Sequence, residues 1–246
     1  PPPPARQAIE AFQNCRAAGF QNISIDLMYG LPGETLSTWQ QDLDQALLLH
    51  PEHLSAYHLI YEEDTVLWKL REQHKVEEAD EDLSVSLFST LIDRLTSEGY
   101  DHYEISNFSL PGLYSRHNSS YWTEKKYLGC GPSAHSYNGV SRQWNVASLD
   151  TYIKGISAGT PVFEIEELDL YTRYNDFVIT RIRTEWGMPL SKLRDEFGEK
   201  LYDYCLRMAA PHLKQGTLEL VNDILKLTRK GIFISDGIMS DMLWTD

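Results

Sequence analysis

A chain of 246 residues with 42% hydrophobic and 24% charged side chains has the composition of a globular protein, long enough for one large domain or two smaller ones. Its 36 acidic residues against 22 basic ones leave a net charge of −14, which argues against nucleic acid or an anionic membrane surface as partner, since both reward a basic face. No apolar run approaches the length of a membrane span and no signal peptide is visible at the start, so no stable membrane insertion and a cytoplasmic location are expected.

The Pro1–Pro4 run reads poorly as the start of a natural domain. Ala5 to Ala18 then predicts a helix, with Ile9, Phe12, Cys15 and Arg16 at helical spacing and Gly19 as its stop. Ile23 to Tyr29 alternates and runs apolar, as a buried strand does, and Gly30, Pro32 and Gly33 end it. Thr35 is placed to cap a helix over 35–50 whose positions Leu36, Trp39, Leu43, Ala46, Leu47 and His50 share one face. His53 to Ile60 is a second strand after a Pro51 turn, so the three elements have the size of a parallel crossover unit. Helices follow over about 65–74 and 79–98, the second with Leu83, Leu87, Phe88, Leu91 and Leu95 turned inward and Gly99 as its stop. Tyr103 to Ile105 supplies a third strand. Repeated strand–helix–strand units are the sequence pattern of a parallel β/α barrel.

Beyond Ile105 the chain breaks into a loop punctuated by Pro111 and Gly112, and this loop carries Arg116-His117-Asn118-Ser119-Ser120-Tyr121-Trp122. An imidazole, an amide and two amphipathic aromatics within six positions suit a flat, partly apolar ligand, and a neutral imidazole is an axial ligand for heme iron. A structural latch between His117 and Asn118 is the competing account. The stretch closes on Gly129-Cys130-Gly131-Pro132-Ser133-Ala134, small residues that leave the backbone open to close approach. Leu149 to Ser157 reads as a short helix and Gly159-Thr160-Pro161 as the start of a linker. Helices over Leu170–Trp186, Leu190–Phe197 and Glu199–Leu213, then strands over Leu218–Val221 and Ile224–Thr228 with Gly231–Ile234 extending them, make an α-rich, winged-helix-like set.

Asp26 stands near the middle of an apolar strand, where a carboxylate is costly unless it is paired or aimed at a ligand. The three cysteines, Cys15, Cys130 and Cys205, are scattered and form no C-x-x-C pattern. Gly30-Leu31-Pro32-Gly33 lacks the glycine spacing and the Lys-Ser/Thr ending of a phosphate loop.

Four separated motifs resemble one family. They are Asp26-Leu27-Met28-Tyr29-Gly30-Leu31-Pro32-Gly33-Glu34-Thr35, Pro51-Glu52-His53-Leu54-Ser55-Ala56-Tyr57, the H-N-x-x-Y-W run between Y-E-I-S-N-F and Y-L-G-C-G-P-S-A-H-S, and Leu227-Thr228-Arg229-Lys230-Gly231. Together, in this order and across most of the chain, they are similar to the heme chaperone (HemW) branch of the HemN-like, oxygen-independent coproporphyrinogen dehydrogenase-like radical S-adenosylmethionine (SAM) proteins. The resemblance implies an α/β fold: the C-terminal part of an incomplete radical SAM β/α (TIM-like) barrel over residues 1–146, a connecting helix and linker over 147–167, and a small HemN-type, winged-helix-like domain over 168–246. That family holds a [4Fe–4S] cluster on a C-x-x-x-C-x-x-C loop, which is absent here, so the chain is expected to be the C-terminal portion of a longer protein with the cluster ligands outside it.

The resemblance also implies roles for residues. Asp26 matches a family position that contacts SAM, and Ile60 and His135 match positions lining the same cofactor pocket, although an Ile is equally expected of core. His117, Asn118, Tyr121 and Trp122 match the heme-binding signature, with His117 as the candidate iron ligand. The implied function is a heme chaperone that passes heme to an acceptor heme protein, related to porphyrin biosynthesis. The alternative is an oxygen-independent coproporphyrinogen III oxidase that makes protoporphyrinogen IX with SAM, but such an enzyme is expected to carry H-R-N-F-Q-G-Y where this chain has R-H-N-S-S-Y-W.

Overall fold

The computed structural model describes residues 5–245, and the Pro1–Pro4 run lies outside them. The chain divides into two compact units, the first closing at Ser115 and the second opening at Arg116.

In the first unit, helix α1 (Ala5–Ala17) leads to strand β1 (Ser24–Tyr29), helix α2 (Leu36–Leu48) and strand β2 (His53–His58). The strands β1 and β2 are parallel, in register from Ser24 opposite His53 to Tyr29 opposite His58. Thr35 caps α2 as expected, its hydroxyl accepting from Thr38 N while the Thr38 hydroxyl accepts from Thr35 N. Helices α3 (Val66–Glu72) and α4 (Glu81–Ser97) are capped by Thr65 and Asp80. Strands β3 (Asp101–Glu104) and β4 (Asn107–Ser109) complete a sheet of order β1-β2-β4-β3.

The four-stranded sheet has one apolar and one polar face. Leu54, Ala56 and Phe108 are buried with Trp39, Leu43, Leu87, Leu91 and Leu95, and Trp39 donates its indole hydrogen to Leu87 O at 3.0 Å. The alternate positions carry His53, Ser55, Asn107, Ser109 and Glu104, which are buried as well. Buried polar groups need partners. His53 links Ser24 Oγ at 2.7 Å and Tyr103 Oη at 2.6 Å, and the Glu104 carboxylate accepts from Ser106 N and from the Asn107 amide.

Four expectations change in this unit. The first strand is not buried on both faces: its residues alternate between exposed and half-buried until Tyr29, because β1 is an edge strand. Among the described residues Asp26 is therefore exposed. The second strand stops at His58, leaving Ile60 beyond it and 70% exposed, and His50 lies past α2 in the left-handed region (φ 51°) rather than on its inner face. The third strand does not pair with the second. A tight turn after Glu104 sends the chain back as β4, which inserts antiparallel between β2 and β3. Three residues of β4 make no periodic signal, so the segment reads as loop in the sequence.

In the second unit, residues 116–122 form a short helix, α5 (Arg116–Trp122), rather than a loop. A three-stranded antiparallel sheet follows, built from β5 (His135–Tyr137), β6 (Ser141–Asn145) and β7 (Phe163–Glu167), with helix α6 (Leu149–Ser157) between β6 and β7. The expected linker after Gly159 thus supplies an edge strand. All five residues of β7 are exposed, which explains why no burial pattern announces it. Helix α7 (Leu170–Ile182) ends four residues before the expected Trp186.

Strand β8 (Met188–Pro189) precedes α8 (Leu190–Gln215), which breaks at Gly198 as the sequence indicates. Strands β9 (Leu218–Val221) and β10 (Ile224–Leu227) pair around Asn222 and Asp223, and β8 joins on the other side of β10. Gly231–Ile234 does not extend this sheet. Thr228 caps a single helical turn, α9 (Arg229–Ile232), and α10 (Ser235–Met242) follows. The end of the chain is clasped by α7 and α8: Asn175 exchanges two hydrogen bonds with the Trp244 backbone, and the Trp244 ring stacks on Tyr171 with centroids 5.0 Å apart.

Candidate functional site

Asp26 lies on the same side of its strand as Met28, which is 50% exposed, and the opposing strand offers Tyr57, 42% exposed. Behind them stands the buried His53, whose burial pushes its imidazole pKa down despite the nearby Asp26 charge. An exposed carboxylate on a polar sheet face, backed by fixed hydrogen-bonding groups, fits a polar, cationic ligand such as SAM. Ile60 sits just past the carboxyl end of β2, where Leu59 N donates to Tyr29 O at 2.8 Å. Barrel sites are built at that end of the strands. His135 belongs to the second unit, exposed on β5 with its ring 5.9 Å from Trp144.

The glycine-rich turn after β1 is closed on itself. The Glu34 carboxylate accepts from Gly30 N at 2.5 Å and Leu31 N at 3.3 Å. Burial nevertheless raises the Glu34 pKa against the effect of those hydrogen bonds. Gly30 has φ 75°, and a Cβ there would stand 2.7 Å from the His58 ring, so only glycine fits. The close approach at Gly129 is also internal: an added Cβ would meet His135 O at 2.1 Å.

On α5 the four signature residues separate by helical geometry. His117 and Tyr121, one turn apart, share a face: Tyr121 Oη lies 3.1 Å from His117 Nε2, and the rings meet edge to face with centroids 5.1 Å apart. Both are exposed, and Asn118 is half-buried beside them. Trp122 turns away from this pair, its ring 4.3 Å beneath the Arg183 guanidinium, and its buried indole nitrogen has no hydrogen-bond partner among the described residues.

Tyr121 also opens a recess of about 420 Å³ that the sequence does not announce. Tyr127 stands edge to face with Tyr121 at 5.1 Å, and Tyr137 lies 6.1 Å further on. The two are joined by a pair of backbone hydrogen bonds of 3.0 and 2.9 Å. Arg142, Arg173 and Lys192 line the recess with Glu124 and Asp176. Glu124 is the hub: it accepts from Arg181 Nη2 at 2.7 Å and Lys192 Nζ at 2.8 Å. Burial opposes its ionisation, but the hydrogen bonds and charges of Lys192 and Arg181 outweigh burial and hold the carboxyl below its ordinary range. Tyr127 and Tyr137 follow the signature within 15 residues of Trp122, and the antiparallel pairing of Tyr127 with Tyr137 brings the second beside the first.

The cysteines do not fit a cluster. Cys15 and Cys130 are exposed and Cys205 is buried, with its thiol pushed up to about 11 by burial. Among the described residues no three His, Cys, Asp or Glu side chains gather as metal ligands, and no helix is long and apolar enough to cross a membrane.

The first unit is an open α/β sheet with a parallel start, and the second combines helices with two small antiparallel sheets. Residues 168–234 match the family model of the HemN C-terminal domain. The heme chaperone HemW of Mycobacterium tuberculosis is 32% identical over 241 residues, covering 98% of this chain and 60% of that protein. HemW of Bacillus subtilis is 28% identical over 239 residues, covering 97% and 63%. Among solved structures, coproporphyrinogen III oxidase (HemN) from Escherichia coli, described as a radical SAM enzyme, superposes with a TM-score of 0.78 at 19% identity, covering 98% of this chain and 59% of that one. Over nearly its whole length the chain is similar to proteins of the HemW/HemN-like radical SAM family. It spans about three-fifths of the length of the curated relatives it matches.

Proposed function

We propose that the protein is a heme chaperone, which takes heme as cargo on α5 and passes it to an acceptor heme protein in the cytoplasm. The observation that supports this most is the exposed His117–Tyr121 pair on the H-N-x-x-Y-W helix, in a chain that aligns over nearly its whole length with proteins named HemW. His117 is the residue to hold the iron, its Nε2 exchanging the Tyr121 hydroxyl for the metal. Tyr121 and Asn118 flank the ligand, and Trp122, on another face of α5, anchors the helix through Arg183. In this division residues 1–146 carry the barrel portion, 147–167 the connection and 168–246 the HemN-type domain.

Asp26, with Ile60 and His135, would hold SAM, and the [4Fe–4S] ligands would come from outside this chain. When bound, SAM and the cluster supply reductive radical chemistry. What this chain contributes is an acidic contact on a rigid strand and a polar sheet face. Anaerobic iron and sulfide analysis is expected to find no stoichiometric four-iron cluster on these residues alone, and finding one would contradict the assignment.

The likeness to HemN favours a second reading, coproporphyrinogen III oxidase. At 19% identity that likeness carries the fold alone, and residues 116–122 follow the chaperone signature. Incubating the intact protein with coproporphyrinogen III, SAM and a reductant without oxygen separates the two. The chaperone reading expects no protoporphyrinogen IX but heme binding and transfer to an apoprotein; turnover would overturn it.

A further inference from the structure

We propose that the recess beside α5 is a carboxylate site in which Arg173 receives the acidic side arms of a flat ligand held by His117 and Tyr121. The inference rests on the heme reading above and adds to it a charged contact on α7, far from the signature in sequence.

Charge pairing singles out Arg173. Arg142 is engaged with Asp176, and Lys192 pairs with Glu124 at 2.8 Å and Glu196 at 3.4 Å. Arg173 makes no ion pair among the described residues, and its guanidinium lies 5.9 Å from the Phe197 ring centroid at the recess wall. The lining carries four cations, Lys125 included, against the three carboxylates just named. This is a local positive surplus in a chain whose net charge is −14. A half-buried arginine without a counter-ion, facing a cavity, is a ready partner for a bidentate carboxylate.

The route from iron to anion is laid out in rings. His117, Tyr121, Tyr127 and Tyr137 touch in series, at 5.1, 5.1 and 6.1 Å, from the exposed helix into the recess. Stacked edges of this kind suit a planar apolar body. Burial raises the pKa of both Tyr127 and Tyr137, so their hydroxyls stay protonated at neutral pH and can donate to an anion. Tyr137 has only a long bond of 3.5 Å to Gly139 O to give up.

The test uses the intact protein and three probes: hemin, protoporphyrin IX, and protoporphyrin IX dimethyl ester, which has no carboxylates. Fluorescence or absorbance titration is expected to show the free acid binding about tenfold tighter than the diester, the scale of one charge-assisted contact. Arg173→Ala should remove that preference by weakening the acid alone, Arg173→Lys should restore part of it, and thermal melts should stay superposable. His117→Ala should change hemin binding and spectrum while leaving the acid-to-ester ratio intact. If Arg173→Ala and Arg173→Lys both keep the full ratio, the carboxylate site is wrong and the heme reading stands. If the wild-type protein binds neither hemin nor either porphyrin, both fall.

Discussion

The four-stranded sheet of the first unit shares Leu54, Ala56 and Phe108 with a core built on Trp39, Leu87 and Leu91, whereas the β5–β6–β7 sheet of the second unit buries only Ser141 among its strand residues. One sheet is a scaffold in which His53 bonds Ser24 and Tyr103 and Glu104 bonds Asn107, while the buried Ser109 hydroxyl has no partner among the described residues. The other is held at its margin by ion pairs, Glu124 to Arg181 and Lys192, and Arg142 to Asp176. The difference teaches where each property resides. Stability comes from apolar area removed from water, and the recess is framed by paired charge, with little buried core of its own.

The largest expected effect sharpens this contrast. Trp39→Ala removes a side chain only 1% exposed together with its hydrogen bond to Leu87 O, and should cost about 3–5 kcal/mol in urea unfolding of the unit that contains it. Ile165→Ala in β7, where the side chain is 56% exposed, should stay within about 0.5 kcal/mol. Comparable losses at the two sites would break the comparison.

Glu124→Ala comes next. It strips two cations of a shared partner and should cost about 1.5–3 kcal/mol, the range for hydrogen bonds to charged groups. The folded-state pKa of Glu124 lies below its unfolded value, so its contribution is fully present above the unfolded pKa of about 4.3 and is lost as pH falls through the lower folded value. Melting curves between pH 7 and 3 should show an acid-labile component that Glu124→Gln lacks. An unchanged acid limb in Glu124→Gln would remove Glu124 from the frame of the recess.

Much of the scaffold is legible in the sequence, because helices such as α2 and α4 repeat an apolar stripe over three or more turns and carry a capping Thr or Asp. The parallel β1–β2 pair follows from its spacing. Elements whose signal lies elsewhere in the chain are not legible. β4 is a strand only because β2 and β3 flank it, and β7 only because β6 pairs with it. Asp26 looks costly within an apolar run, yet among the described residues its strand pairs on one side only and its side chain is exposed. The H-N-x-x-Y-W residues were visible as a cluster, but their division into an exposed His117–Tyr121 face and a separate Trp122 depends on α5 being helical. Arg173 lies 52 positions beyond Tyr121 and reaches the recess only through the packing of α7, so no local pattern exposes it.

The smaller effects fall on the ligand face. Tyr121→Ala should weaken heme binding by about 1 kcal/mol, the scale of one aromatic contact, whereas Trp122→Ala should mainly cost stability through the lost Arg183 contact. Wild-type heme affinity in Tyr121→Ala would confine the ligand to the His117 side chain.

The central claim is that His117 holds heme iron, and the most direct measurement is a hemin titration of the intact protein and its His117→Ala variant, followed by the Soret band. His117 is exposed, so the variant should fold as the wild type does, while its Soret maximum shifts and its hemin affinity falls. An unchanged affinity and Soret band in His117→Ala, Tyr121→Ala and Trp122→Ala alike would place the heme site elsewhere and contradict the account.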